Sequence, residues 1–316
     1  MGLQSSYRQV DGKIVNRSCE INVVEHCNLS CRGCSHLSPV APKYFVDPAE
    51  VHASLSQLSR SYMAREARLV GGEPLLHPEL GSVIDAVRTS GVAQRIVIVT
   101  NGLLLSRMPE AAWSAIDEVE ISLYPGHDPK PDQWKRIEGL AQEHAVKLFP
   151  NGVARFRESY TEQRNEDAEL VQQIFTSCKI AHQLRCHTVA HGYFFRCPQA
   201  YFLPKIMHER FAEPHVDGLR IEGTEAFGKR LLAYLTDPAP MKACSYCLGT
   251  AGALVQHVQI RRNEFRQAQD RPASSMISER QLHSTLAANG RASLAPFSSR
   301  ARRFISRLRR VTPMPQ

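Results

Sequence analysis

From residue 20 to residue 149 the chain repeats one pattern: a short apolar run, a polar or glycine-rich break, then a stretch with helical spacing. Segments 20–24, 68–70, 95–100, 118–123 and 146–149 read as strands, the clearest being the buried run Ile96-Val97-Ile98-Val99. Between them, 48–62 (with Val51, Leu55 and Leu58 at helical spacing), 80–89, 109–115 and 134–144 read as helices. Short strands alternating with helices form βα units, and these place their strands in a parallel sheet. In such sheets and barrels ligands collect at the C-terminal ends of the strands. Four of those ends carry unusual residues: a group of cysteines, then Gly71-Gly72-Glu73-Pro74, Thr100-Asn101-Gly102 and Tyr124-Pro125-Gly126. They are expected to meet on one rim.

With 316 residues the chain can bury a full core, and its hydrophobic content of 43% is that of an ordinary globular protein. The formal charge of +8 points to nucleic acid until it is located: from Arg280 to Gln316 there are eight arginines and no acidic residue. The body is neutral, so no nucleic-acid partner is expected for it. No run is long and apolar enough to span a bilayer, and the first fifteen residues hold no apolar signal core. A cytoplasmic location is the expectation. There, nine cysteines point to metal or iron–sulfur binding rather than disulfides.

Cys27, Cys31 and Cys34 follow the spacing C-x3-C-x2-C in a loop straight after the first strand. Three thiolates on so tight a loop can surround one cubane. A four-iron cluster ordinarily takes four protein ligands, so three leave one iron with an open position. The alternative is a zinc site completed by His26 or His36. A second set, Cys178, Cys186, Cys197, Cys244 and Cys247, lies downstream, the last two in C-x2-C spacing. A structural zinc site with four thiolates satisfies that half equally well. The βα rhythm fades near Thr176. The expected layout is a core over 1–175, a smaller cysteine-bearing domain over 176–260, and a basic, flexible tail over 261–316.

The run Glu25-His26-Cys27-Asn28-Leu29 through Cys34, followed by Gly71-Gly72-Glu73-Pro74, resembles the radical SAM superfamily over roughly residues 18–150. The resemblance implies a partial (β/α)6 TIM-like barrel. Its open iron chelates the amino and carboxylate groups of S-adenosylmethionine, and one electron from the reduced [4Fe-4S] cluster yields a 5′-deoxyadenosyl radical. By position it assigns Gly71, Gly72, Glu73 and Pro74 to the methionine end, Asn101 to a recurring strand-end segment and Ser122 to the ribose. Gly33 departs from the family, which often has an aromatic residue there to pack on adenine, so adenine stacking is expected from elsewhere. The order Cys178, Gly192, Cys197, gap, Cys244, Cys247 is similar to the auxiliary-cluster region called SPASM in its shortened "twitch" form. That implies a second, fully ligated [4Fe-4S] cluster on Cys178, Cys197, Cys244 and Cys247.

For Cys186 three roles stay open: replacing Cys178 as ligand, simple burial, or giving a hydrogen atom to a substrate radical. Burial is expected for Cys19. His26, His36 and His77 lie in rim loops, and Arg155 and Arg157 follow the fifth strand. In the tail, Phe304, Ile305, Leu308 and Val311 share a helical face amid arginines, a pattern able to touch a membrane surface or a partner. The resemblance implies a radical oxidoreductase or epimerase acting on a small polar substrate (a sugar, aminocyclitol or nucleoside-like molecule) in carbohydrate or antibiotic biosynthesis, served by a flavodoxin- or ferredoxin-type electron donor. Two alternatives remain. One is maturation of a ribosomally made peptide, and the other is a non-catalytic zinc- or cluster-binding scaffold.

Overall fold

The computed structural model describes residues 7–292. β1 (Arg8–Val10) and β2 (Lys13–Val24) pair as an antiparallel hairpin. Strict alternation follows: α1 (Pro48–Leu58), β3 (Tyr62–Gly71), α2 (Leu80–Ser90), β4 (Ala93–Thr100), α3 (Glu110–Ser114), β5 (Glu118–Leu123), α4 (Pro131–Glu143) and β6 (Lys147–Gly152). Next come β7 (Arg155–Arg157), α5 (Ala168–Ser177), β8 (His187–Ala190), β9 (Tyr193–Phe195), α6 (Pro198–Ile206), β10 (Gly218–Arg220), α7 (Glu225–Thr236) and β11 (Leu254–Gln256). Three helices close the described chain: α8 (Arg262–Gln269), α9 (Ala273–Met276) and α10 (Glu279–Ala292).

The fold is α/β around one sheet in the order β10-β9-β8-β2-β3-β4-β5-β6. The six strands from β8 to β6 are mutually parallel, as a partial TIM-like radical SAM barrel requires. The sixth parallel strand, β8, enters beside β2 and not beside β6. β9 and β10 then continue that edge antiparallel, so the region after Thr176 contributes three strands to the main sheet. β7 and β11 form a separate two-stranded ribbon.

Strand alternation sorts the side chains. Ile21, Val23, Leu69, Ile96, Ile98, Val119 and Ile121 belong to the main apolar core with the helices. On the opposite face runs a ladder of charges: Arg68 Nη2 lies 2.5 Å from Glu120 Oε2, and Arg95 reaches Glu66 at 2.5 Å and Glu118 at 3.5 Å. Local chemistry sets the helix ends. The Asp47 and Asp167 carboxylates accept from first-turn amides of α1 and α5, and Gly91 closes α2 in the left-handed conformation.

Three elements differ from the sequence expectation. β2 begins at Lys13 because Asn16 and Ser18, polar enough to break the apolar run, are buried by side-chain partners. The first helix stops at Leu58, and Tyr62 and Ala64 turn into the core as the start of β3. Beyond Arg261, where composition suggests a flexible tail, residues to 292 fold as α8 to α10, anchored by buried Phe265, Ala273, Met276 and Leu282. The amphipathic segment 302–311 lies outside the described residues. Among those described, no helix is long and apolar enough to cross a membrane.

His187, fully buried on β8, is held by Tyr7 Oη and Tyr62 Oη, each at 3.0 Å, and by the Asn16 amide at 3.3 Å. Burial, with Arg185 and Arg196 nearby, depresses its pKa from 6.5 to about 3. As pH falls below 6.5 the unfolded chain binds this proton and the folded chain does not, so stability drops. Between those two pH values the site contributes a slope of about 1.4 kcal/mol per pH unit. Urea unfolding of the wild type and of His187→Phe at pH 6 and pH 4.5 is expected to show a shallower slope in the variant. Parallel slopes would contradict a neutral His187.

Candidate functional site

Three of the four unusual strand ends are bound directly to one another. The backbone N–H of Gly72 donates to Val24 O at 2.6 Å and that of Glu73 to His26 O at 3.1 Å, so the loop after β3 lies flat on the chain leading into Cys27. Glycine is required for this approach: a Cβ on Gly71 would stand 1.9 Å from Val24 O, and one on Gly72 1.9 Å from His26 O. Pro74 then starts a short 3-10 turn capped by the Glu73 side chain.

Glu73 is fully buried. Its carboxylate accepts from Thr100 Oγ1 at 2.6 Å, Asn101 N at 2.9 Å and Leu75 N at 3.1 Å, while burial raises its proton affinity. These bonds tie the third strand end to the second. Asn101 continues the chain of contacts, donating to Asn28 Oδ1 at 2.7 Å and standing 3.8 Å from Cys27 Sγ. Ser122, half-buried near the end of β5, hydrogen-bonds Tyr124. The fourth end joins through aromatic rings. Tyr124 stacks on His257 with centroids 4.8 Å apart and on Phe156 at 5.6 Å.

Cys27, Cys31 and Cys34 stand within one another's electrostatic field, and burial pushes the first two thiols up to about 12. Metal ligation must therefore displace protons that the apo loop holds firmly. Gly33 has φ +75°, and a Cβ there would meet Phe156 Cβ at 3.2 Å and Arg157 O at 3.3 Å. β7 thus occupies the place a side chain at 33 would need. Cys178, Cys197, Cys244 and Cys247 form the second group: Cys178, Cys197 and Cys247 each raise the proton affinity of Cys244, and Cys178 and Cys197 that of Cys247. The lining of a cavity of about 340 Å3 includes Cys178, Cys197 and Cys247 together with Gly33, Ser35 and Arg155. A larger hollow of about 460 Å3, between the start of α2 and α3, touches none of the cysteines.

Among the described residues, no three His, Cys, Asp or Glu groups converge closely enough to hold a single metal ion. Zinc draws its thiolates in on bonds of about 2.3 Å, whereas a cubane is wider and its thiolates stand farther apart. Both sets present thiols in mutual electrostatic reach, the donor type that zinc and a cubane alike accept. Of the loop histidines, His77 bridges Val46 O and Glu79 N, His26 lies edge-on to Phe45, and His36 edge-on to Phe202. Cys186 has its thiol on the Glu20 carboxylate at the polar sheet face, within electrostatic reach of Cys197, and is held protonated by burial. Cys19 is fully buried. Of the two arginines, Arg157 is committed to Gly252 O at 2.6 Å and Gln281 Oε1 at 2.9 Å.

Sequence reasoning did not anticipate Glu25, His257 or Gln259. Glu25 is buried and accepts from Tyr201 Oη and from Lys205 Nζ, the latter at 2.5 Å. This bond fastens the cysteine loop to α6, which begins right after Cys197.

Residues 21–149 match the family model of the Radical SAM superfamily, and this part of the chain is a radical SAM domain. That family brings a [4Fe-4S] cluster and S-adenosylmethionine. Among curated proteins, the chain is 28% identical over 124 residues to a GTP 3′,8-cyclase of Microcystis aeruginosa, covering 38% of this chain and 37% of the relative. It is 33% identical over 104 residues to the enzyme of that name from Chlorobaculum tepidum (33% and 31%). With molybdenum cofactor biosynthesis protein 1 of Bos taurus it shares 31% over 106 residues (33% and 17%). The chain thus spans less than half the length of these curated relatives. Among solved structures, BtrN in complex with AdoMet and 2-DOIA covers 82% of this chain and 88% of its own, at 14% identity and TM-score 0.42.

Proposed function

We propose that the chain reductively cleaves S-adenosylmethionine and abstracts a hydrogen atom from a small polar substrate, leading to its oxidation or epimerisation. Cys27, Cys31 and Cys34 hold the cluster, which supplies the electron for cleavage. Gly71 and Gly72 let backbone reach the methionine end, and Glu73 fixes that loop against Thr100 and Asn101. Ser122 meets the ribose, and the Tyr124–His257–Phe156 stack supplies the flat apolar surface an adenine needs where Gly33 cannot. Cys178, Cys197, Cys244 and Cys247 would hold a second cluster, which would supply an acceptor for the electron lost in the oxidation while the proton passes to solvent. In the epimerisation Cys186 on Glu20 would be the hydrogen-atom donor, its thiyl radical restored by one electron from the reductant and one proton. A flavodoxin- or ferredoxin-type protein serves as reductant.

The observation that carries this reading is the cavity of about 340 Å3 that touches the first cysteine loop and three thiols of the second set. A substrate there is within reach of both. Anaerobic iron and sulfide counting is expected to give about eight irons per chain, falling to about four in a Cys244→Ala/Cys247→Ala variant. That variant is expected to form 5′-deoxyadenosine yet yield no oxidised product. Stoichiometric zinc in the purified chain would instead support a scaffold.

A second reading follows from the relatives named GTP 3′,8-cyclase, which match at 28% and 33% identity. Incubation with GTP, S-adenosylmethionine and dithionite separates the two. Conversion of GTP favours the second reading, and turnover of a sugar or aminocyclitol the first.

A further inference from the structure

We infer that Gln259, with His257 beside it, tunes the cluster of the first cysteine loop by directing side-chain N–H groups at the Cys31 sulfur. This rests on the reading that Cys27, Cys31 and Cys34 hold that cluster. After β11 the chain turns back along the cysteine loop, and Cys31 and Gln259 form an antiparallel bridge. Arg32 N donates to Val258 O and Ile260 N to Ser30 O, each at 2.9 Å, so the two backbones are locked in register.

This register sets the side chains. Gln259 Oε1 accepts from Ser30 N at 2.6 Å, which fixes which end of the amide is which. The donating Nε2 is thereby left 3.2 Å from Cys31 Sγ. His257 Nε2 is also 3.2 Å from that sulfur, its ring held by the stack on Tyr124. The two nitrogens stand 3.3 Å apart, so the His257 tautomer decides whether it donates to sulfur or accepts from the amide. Gln259 donates in either case.

A ligating thiolate carries no proton and acts only as acceptor. Reduction adds negative charge to the cluster and its sulfurs, and an N–H pointed at one of them stabilises the reduced form. Hydrogen bonds to sulfur are among the protein's main controls on cluster potential. Cys27 receives a backbone N–H from Leu29 at 3.4 Å and the more distant Asn101 amide at 3.8 Å. Cys34 takes the backbone N–H groups of His36, Leu37 and Ser38 and the Ser38 side chain, all from its own loop. At Cys31 the Gln259 amide donates at 3.2 Å, joined in one tautomer by His257 at the same distance, so this sulfur is the one reached by side chains from a distant segment.

The test is an anaerobic redox titration followed by electron paramagnetic resonance on the reconstituted full chain, without S-adenosylmethionine or substrate. Gln259→Leu removes the donor and keeps the bulk. It is expected to disfavour reduction about tenfold, or about 59 mV to the negative for a one-electron couple. Gln259→Glu keeps the acceptor for Ser30 but turns a carboxylate on the sulfur, and is expected to move the midpoint further the same way. Full iron content with an unchanged midpoint in both variants overturns the inference. Loss of that cluster from both also overturns it, since Gln259 would then be a structural clamp. Should the wild type form no reducible cubane at Cys27, Cys31 and Cys34, the underlying reading fails as well, and the wild-type trace reports that separately.

Discussion

Replacing any one of Cys27, Cys31 or Cys34 by alanine is expected to remove the S-adenosylmethionine-binding cluster and reduce 5′-deoxyadenosine formation to background. The three thiols sit on a single short loop, pinned by Gly72 and Glu73, by Asn101 and by the bridge to Gln259. The other cysteines stand elsewhere: Cys178, Cys197 and Cys247 line the cavity next to this loop, Cys244 lies in their field, Cys186 lies on Glu20 and Cys19 in the main core. A lost thiolate therefore has no substitute. Iron content is expected to fall by about four per chain while the second set keeps its own. Cys19→Ala is the matched control. That thiol is buried in the main core, so the change costs about 1 kcal/mol in packing and leaves the chemistry unchanged. Wild-type turnover in a single-cysteine variant of the loop would contradict the assignment.

Gly72→Ala is expected to be among the most damaging single-methyl changes in the chain's first half, alongside Gly71→Ala. The added Cβ would lie 1.9 Å from His26 O and 2.8 Å from Glu25 O, both rigid backbone, so the loop after β3 must lift off the cysteine loop. That breaks the bonds from Gly72 N and Glu73 N and withdraws Glu73 from Thr100 and Asn101. A destabilisation of about 4 kcal/mol or more is expected, the range reached when a buried network is broken. Gly81→Ala provides the contrast. Its Cβ meets nothing within 4 Å and lies inside α2, so alanine is expected to stabilise by about 0.5–1 kcal/mol. Thermal unfolding of the two variants measures both. Equal melting temperatures would mean that the two loops are not in contact.

Much of this site is legible in the chain because its parts are local. Each rim segment follows its own strand, and parallel pairing alone brings consecutive strand ends to one side. The thiols and the Gly-Gly-Glu run are therefore found by position. What the chain conceals is contact across long separations. Gln259 and His257 meet Cys31 more than two hundred residues away, through a ribbon of three-residue strands too short to show a period. Glu25 stands in the sequence only as the first residue of the cysteine motif, and α6 shows why it is buried. The placement of β8 beside β2 is hidden for the same reason: its four residues carry polar His187 and Thr188, both of which find partners inside. The helices beyond Arg261 are masked by composition, since single apolar residues such as Phe265 and Leu282 anchor otherwise polar segments.

All of this depends on a cubane at Cys27, Cys31 and Cys34 keeping one coordination position free for the sulfonium cofactor. Electron paramagnetic resonance of the dithionite-reduced, reconstituted Cys244→Ala/Cys247→Ala variant isolates that cluster. Adding S-adenosylmethionine is expected to change the shape of its signal and then to release 5′-deoxyadenosine. A spectrum that is identical with and without the cofactor, together with no cleavage product, would contradict the account.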